Sequence, residues 1–421
     1  MDDHHPFDPT VSTTNLWFDD LTFLVLSHLR WDFVYQRPQH LLSRCAREHR
    51  VFFFEEPVIG EGTPRLDVSP RGDNLWVCVP QLPAGLTLAE SESMQQALLD
   101  GLLAERTVRR YALWYYSPMP LGFSRHLRPC ATVYDCMDEL SAFAGASPLL
   151  REREDELFQR VDLVFTGGQS LWEAKRDRHP EVHAFPSSID ASHFGQARAS
   201  GLSGGELQEP GDQADIPRPR LGYFGVVDER MDIELIGSVA AARPDWQIVI
   251  VGPVVKIDPA SLPRRDNIHY LGGKAYDALP GYIAGWDVAL MPFARNESTR
   301  FISPTKTPEY LAAGKPVVST SIRDVVRPYG ERGLVAIADD PDDFIAAIAG
   351  ELGIADREAW LIEVDTFLAG NSWDATWARM KQMLDAVAGR ARAAAPAADA
   401  RLAADRTPTL TSRRNISCSI T

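Results

Sequence analysis

The chain has 421 residues, 45% of them hydrophobic, enough to bury the cores of two α/β domains. Its formal net charge of −15 argues against a general nucleic-acid binder, because affinity for a phosphate backbone needs clustered Lys and Arg. The 5 cysteines form neither a CxxC pair nor a His/Cys zinc spacing, which points to a reducing compartment. No apolar run approaches the roughly 18 residues of a membrane span, and the acidic start MDDHHPFDPT is unlike a basic-then-apolar leader. The expected location is therefore cytoplasmic, with peripheral association at the inner membrane face left open.

Residues 1–18 read as a disordered lead-in. LTFLVLSHL, from Leu21, is continuously apolar, as in a central parallel strand covered on both faces. A loop holding Trp31, Asp32, Gln36 and Arg37 follows, then a helix through Leu41, Leu42 and Cys45. Loops at the carboxyl ends of parallel strands are where open α/β sheets place ligands, so Gln36 and Arg37 are candidate cleft contacts; the alternative is that they only cap and solvate the helix start. VFFFEEP, NLWVCVP and YALWYYSP read as further strands, and Tyr116 at the end of the last is either a sugar-stacking surface or core. ATVYDCMDEL places Asp135 and Asp138 just past another strand, where carboxylates can bind acceptor hydroxyls or act as a base; for Asp138 a helix cap is the alternative.

The polar, Gly- and Pro-rich stretch over 191–217 reads as a linker. A second series of strands starts at Arg220 with RLGYFG, whose Gly225 opens a strand-loop-helix turn carrying Arg230; the helix starts near Asp232. WQIVIVGPV, NIHYLGG and DVALMPF are strands. SPTKTPEYLAAGKPVVST is a short helix and a strand, with Ser303 as the expected cap, Pro304 in the first turn and Gly314 closing it. Such a helix start suits a phosphate, and Lys306 adds a full cation; Lys306 and Glu309 share one face, which on an ordinary surface helix is a solvated ion pair. The run Asp339, Asp340, Asp342 and Asp343 reads as a helix start rather than a metal site, since calcium-loop spacing is absent. Trp373, Trp377, Met380 and Leu384 stripe an amphipathic helix, and the Ala- and Arg-rich remainder reads as a tail.

The phrase Glu309-Tyr310-Leu311-Ala312-Ala313-Gly314-Lys315-Pro316-Val317-Val318 resembles the donor-site element of retaining GT-B glycosyltransferases, group 1 or family 4 type. The resemblance implies that Glu309 binds the ribose of a nucleotide sugar, that the backbone at Lys274 and Ala275 reads the base, and that a terminal helix crosses back to the first domain. Where relatives carry an earlier Glu near the transferred sugar, this chain has Phe301; Val226 replaces an Arg, so Lys306 is expected to supply the missing charge; Asp135 stands near a usual His. The resulting expectation is an α/β protein of two Rossmann-like domains facing a cleft. It comprises a lead-in (1–18), an acceptor-side domain (19–190), a linker (191–217), a nucleotide-sugar domain (218–371), a crossing helix (372–390) and a disordered tail (391–421). Asp135 and Asp138 are expected to be catalytic, and Gly225, Arg230, Lys274, Ser303, Lys306 and Glu309 to bind the donor. The activity implied is hexosyl transfer from a nucleotide-diphosphate sugar to a glycan or lipid-linked acceptor with retention, without cofactor or metal. The alternatives are a sugar-nucleotide epimerase of the same fold and a lapsed glycan-binding or scaffold protein.

Overall fold

The computed structural model describes residues 21–199 and 207–404; the lead-in over 1–18 and the end of the expected tail lie outside the described residues. The first sheet contains β1 (Thr22–Leu26), β2 (Arg50–Phe54), β3 (Val58–Gly60), β4 (Arg65–Pro70), β5 (Leu75–Pro83), β6 (Tyr111–Tyr115), β7 (Ala131–Cys136), β8 (Leu163–Thr166) and β9 (Val182–Ala184). Its order is β3-β5-β2-β1-β6-β7-β8-β9, all parallel, with β4 pairing antiparallel on β5. The second sheet contains β10 (Arg220–Phe224), β11 (Gln247–Val251), β12 (Ile268–Gly272), β13 (Val288–Met291), β14 (Val317–Ser319) and β15 (Ala336–Ile337), in the order β12-β11-β10-β13-β14-β15.

Both orders reverse direction at the first strand of their sheet. β1 lies between β2 and β6, and β10 between β11 and β13, so each carboxyl end opens onto a crevice flanked by chains leaving in opposite directions. Every residue of β1 and of β10 is buried, which is why neither shows the apolar-polar alternation of a half-exposed strand. The two crevices face one another across a cleft. Its closeness is set by direct contacts, among them Ala144 N–H donating to Glu229 Oε1 at 3.2 Å and the ring of Tyr35 stacked on that of Tyr276.

Two expectations are corrected here. The stretch 191–217 is not simply a linker: helices Ala191–Ala199 and Gly211–Ala214 lie within it. Phe194 and Ala197 are buried with Tyr282, Ile283 and Leu311 of the second domain, and the Gln213 side chain receives Trp286 Nε1–H at 2.9 Å. The polar composition concealed this stripe of two residues three positions apart. The terminal helix, Trp373–Ala404, runs beyond Arg390, where a tail was expected, as the strong helix propensity of Ala allows.

That helix buries Trp373, Trp377, Met380, Leu384 and Val387 in the first domain's core beside Phe23 and Trp114. Since a large aromatic cut to Ala in a packed core costs about 3–5 kcal/mol, Trp377→Ala should lower the urea midpoint of the first domain accordingly, read by hydrogen exchange at β1 and β6.

Candidate functional site

The helix carrying the two singled-out charges spans Lys306–Ala312 and ends at Gly314, whose φ of 70° lies in the left-handed region. It starts later than expected. Thr305 holds the cap position without a side-chain cap, while Ser303 is outside the helix and its carbonyl accepts from Ser187 Oγ at 2.6 Å, fastening the approach to this helix to the link between domains. The expected Ser303 cap is thus replaced by a tether, because Pro304 and Thr305 extend the approach before the first turn closes.

The Lys306 side chain runs across Gly225. A Cβ at Gly225 would collide with Lys306 Cε, and its φ of 132° disfavours any other residue, so this glycine makes room for the cation. Lys306 Nζ then lies 5.5 Å from the Tyr223 ring centre and 5.8 Å from that of Phe293. Burial, followed by the Arg230 charge, pulls the Lys306 ammonium below the usual lysine range, and burial pushes the Glu309 carboxyl up against the opposing pull of Lys306. Glu309 is 4% exposed, and its Oε2 has no hydrogen-bond partner. A buried carboxylate oxygen left open in this way is costly unless a ligand completes it.

These groups line an interdomain cavity of ≈ 590 Å³ whose walls include Gly225, Arg230, Lys274, Lys306 and Glu309 from the second domain and the loop Trp31–Gln36 from the first. Arg230 is held by Asp228 at 2.7 Å. The Lys274 ammonium pairs with Asp212 at 2.6 Å, and the residue lines the cavity. A connected recess of ≈ 110 Å³ brings Gln36, Arg37 and Asp138 of the first domain opposite Arg230, Ser303 and Lys306. Burial raises the Asp138 carboxyl, with Arg230 and Arg37 pulling the other way.

Asp135 and Tyr116 are not at this site. Asp135 is fully buried and receives Arg37 Nε–H at 3.1 Å on both carboxylate oxygens, while Arg37 Nη1 donates to the Phe185 carbonyl at 2.7 Å. Tyr116 is 1% exposed, within the first-domain core. The reason is register: Asp135 still belongs to β7 and points inward, whereas Asp138 has left the strand. Phe301 packs against the first domain's apolar core. The Asp339–Asp343 run does capping work: Asp340 accepts from the N–H groups of Asp342 and Asp343, and Asp339 accepts from Ser321. Sequence reasoning missed Tyr35 and Tyr276, which meet across the cleft; the only available signal was an aromatic-rich loop, Trp31 to Tyr35, after β1.

Two doubly wound domains facing across such a cleft constitute the GT-B fold, and the chain is a glycosyltransferase of that fold. Residues 218–352 match the family model of glycosyl transferases group 1. A Bacillus subtilis (strain 168) protein, TuaH, named for a glycosyltransferase role in teichuronic acid biosynthesis, is 29% identical over 277 residues, covering 61% of this chain and 67% of the relative. Among solved structures, an E. coli trehalose-6-phosphate structure bound with UDP-2-fluoro glucose superposes with a TM-score of 0.64 at 12% identity, over 86% of this chain and 98% of the other. The sucrose-phosphate synthase of Thermosynechococcus elongatus does so at 0.63 and 15% identity, again over 86% and 98%. Among the described residues no helix is long and apolar enough to cross a membrane.

The burial of Asp135 yields a direct test of its role. Asp135→Ala strands the Arg37 guanidinium without its carboxylate and should cost about 3–5 kcal/mol in chemical denaturation, the scale for breaking a buried pair. Unchanged stability with abolished turnover would instead place Asp135 in the chemistry.

Proposed function

We propose that the chain transfers a hexose from a nucleoside-diphosphate sugar to a glycan or lipid-linked acceptor with retention of configuration. The observation that carries the donor half is the pair formed by the half-buried Lys306 and the buried Glu309, facing the cavity beside Arg230. Two cations suit a diphosphate, and the open Glu309 Oε2 suits ribose hydroxyls. Asp138 lines the recess together with both cations, and on this reading its carboxylate orients an acceptor hydroxyl. That hydroxyl oxygen bonds to the anomeric carbon on the face the diphosphate leaves, its proton passing to the leaving diphosphate oxygen, while Arg230 and Lys306 bear the charge that develops there. With this charge supplied by side chains, we infer transfer without a divalent ion. The name of the Bacillus relative directs the acceptor search to cell-surface polysaccharide.

Phe301 favours a second reading, a protein that binds nucleotide but transfers nothing, because an apolar ring packed on the first domain stands where relatives hold a sugar-side carboxylate. Incubation with a panel of nucleotide sugars, with and without oligosaccharide or lipid-linked acceptors and with chelator, separates the readings. Released nucleoside diphosphate together with a glycosylated, anomerically retained product supports transfer. Binding without product supports the second reading.

Lys306→Ala should weaken nucleoside-diphosphate binding by about 1.5–3 kcal/mol in calorimetry, the scale of a charged hydrogen bond. Glu309→Gln should weaken nucleoside diphosphate but leave pyrophosphate nearly unchanged, since only the ribose loses its charged acceptor.

The pH dependence has a definite sign. Only the ammonium form of Lys306 attracts phosphate and its pKa is lowered, so affinity should fall as pH rises, earlier than for an ordinary lysine. Only the carboxylate form of Glu309 accepts both hydroxyls and its pKa is raised, so affinity should also fall on acidification sooner than for a free Glu. Calorimetry across the neutral range should give a bell, and Lys306→Arg should push out its alkaline limb.

A further inference from the structure

We infer that Tyr35 and Tyr276 form a clasp between the domains that closes the nucleoside end of the donor cavity and sets how fast the spent nucleotide leaves; this rests on the donor reading above. The ring centres are 4.4 Å apart with planes 27° from parallel, one on the first-domain loop after β1 and the other on the turn after β12. Both rings line the cavity that Glu309 and Lys306 enter.

The two halves are held differently. His193 stacks on Tyr276 at 4.2 Å and 8°, and its Nε2 is 3.2 Å from the Tyr276 carbonyl oxygen, while Phe194 meets the ring edge-on at 5.7 Å. Two rings stacked this closely on Tyr276 take opposite faces and fix the plane of its ring. The Tyr276 hydroxyl is buried without a partner, and burial together with the Glu309 charge keeps it protonated, hence a donor. Tyr35 is 40% exposed beside Phe33 at 52%, and on its own domain meets the edge of His40 at 4.7 Å. It is a half-exposed ring resting on a fixed one.

The chemistry divides accordingly. Lys306 and Arg230 hold the diphosphate electrostatically, Glu309 and the Tyr276 hydroxyl offer an acceptor and a donor to the nucleoside, and Tyr35 walls the exit. Opening the domains must part Tyr35 from Tyr276. Mere packing between domains would contribute to stability and leave release untouched, which is where the two accounts diverge.

The test is stopped-flow binding of UDP, GDP and ADP to the full chain. For whichever binds, Tyr35→Ala should speed dissociation about tenfold, the scale of one aromatic pair, with association changed less than about twofold. Tyr35→Phe, which keeps the ring, should restore slow release. Tyr276→Phe should weaken the nucleoside diphosphate and not pyrophosphate. Unchanged dissociation in Tyr35→Ala, or a loss confined to association, overturns the clasp. If the wild-type protein binds none of the three, the donor reading fails. The clasp is then decided by pulsed electron paramagnetic resonance between labels at the exposed Leu88 and Ile362 in the nucleotide-free protein. A distance distribution that widens in Tyr35→Ala upholds the contact as a clasp, and an unchanged one overturns it.

Discussion

The cleft depends on one buried ion pair. Arg37 and Asp135, 98 residues apart, bind in two-pronged fashion, and the remaining arm of the guanidinium reaches the Phe185 carbonyl at the exit from the first domain. A helix start, a strand end and the interdomain link are thereby fixed to one another. Such a pair is not strongly stabilising in itself, because desolvating both charges offsets most of their attraction. Its contribution is geometric: the chain leaves the first domain at one place and angle, and what lies beyond, including Ser187 and its tether to Ser303, is aimed from there.

The second domain adds charge to this frame. Lys306 is admitted only because Gly225 has no side chain, and its charge is supported there by Glu309, Asp228 and Asp138 against the repulsion of Arg230. The balance is close, and the diphosphate site proposed above would require that: an empty cleft must tolerate two neighbouring cations, and an occupied one must use both. The carboxylates share that duty unequally. Asp228 is bound to Arg230, while Glu309 and Asp138 keep capacity for a ligand.

Much of the fold was legible because central parallel strands are apolar throughout, as in LTFLVL and QIVIVG, and because Gly225 and Gly314 mark turns that other residues resist. β3 and β4 were not read: β3 is exposed along its length, and β4 turns only Leu66 and Val68 toward the core, an alternation too short to stand out. At the site, the shared face of Lys306 and Glu309 and the position of Asp138 after a strand were legible locally, while Arg230 and the ribose role of Glu309 came only from the family resemblance. Asp135 was misplaced because sequence does not fix where a strand ends to within the residue or two that turns a side chain from cleft to core. The helices in 191–217 and the pairing of Tyr35 with Tyr276 escaped for a different reason, since each depends on a surface supplied by remote chain.

The terminal helix carries a consequence for how the protein comes into being. The first domain begins at β1, yet part of its core is Trp373 to Val387, delivered only after the second domain's sheet is complete in sequence. During synthesis that sheet can therefore close while the earlier one still waits with an open apolar face. At roughly 5–20 residues per second the wait is on the order of ten seconds or more. During that interval native contacts do not yet cover the face that Trp373 to Val387 will occupy, and the helix Trp373–Ala404 acts as the closing piece of the earlier of the two domains.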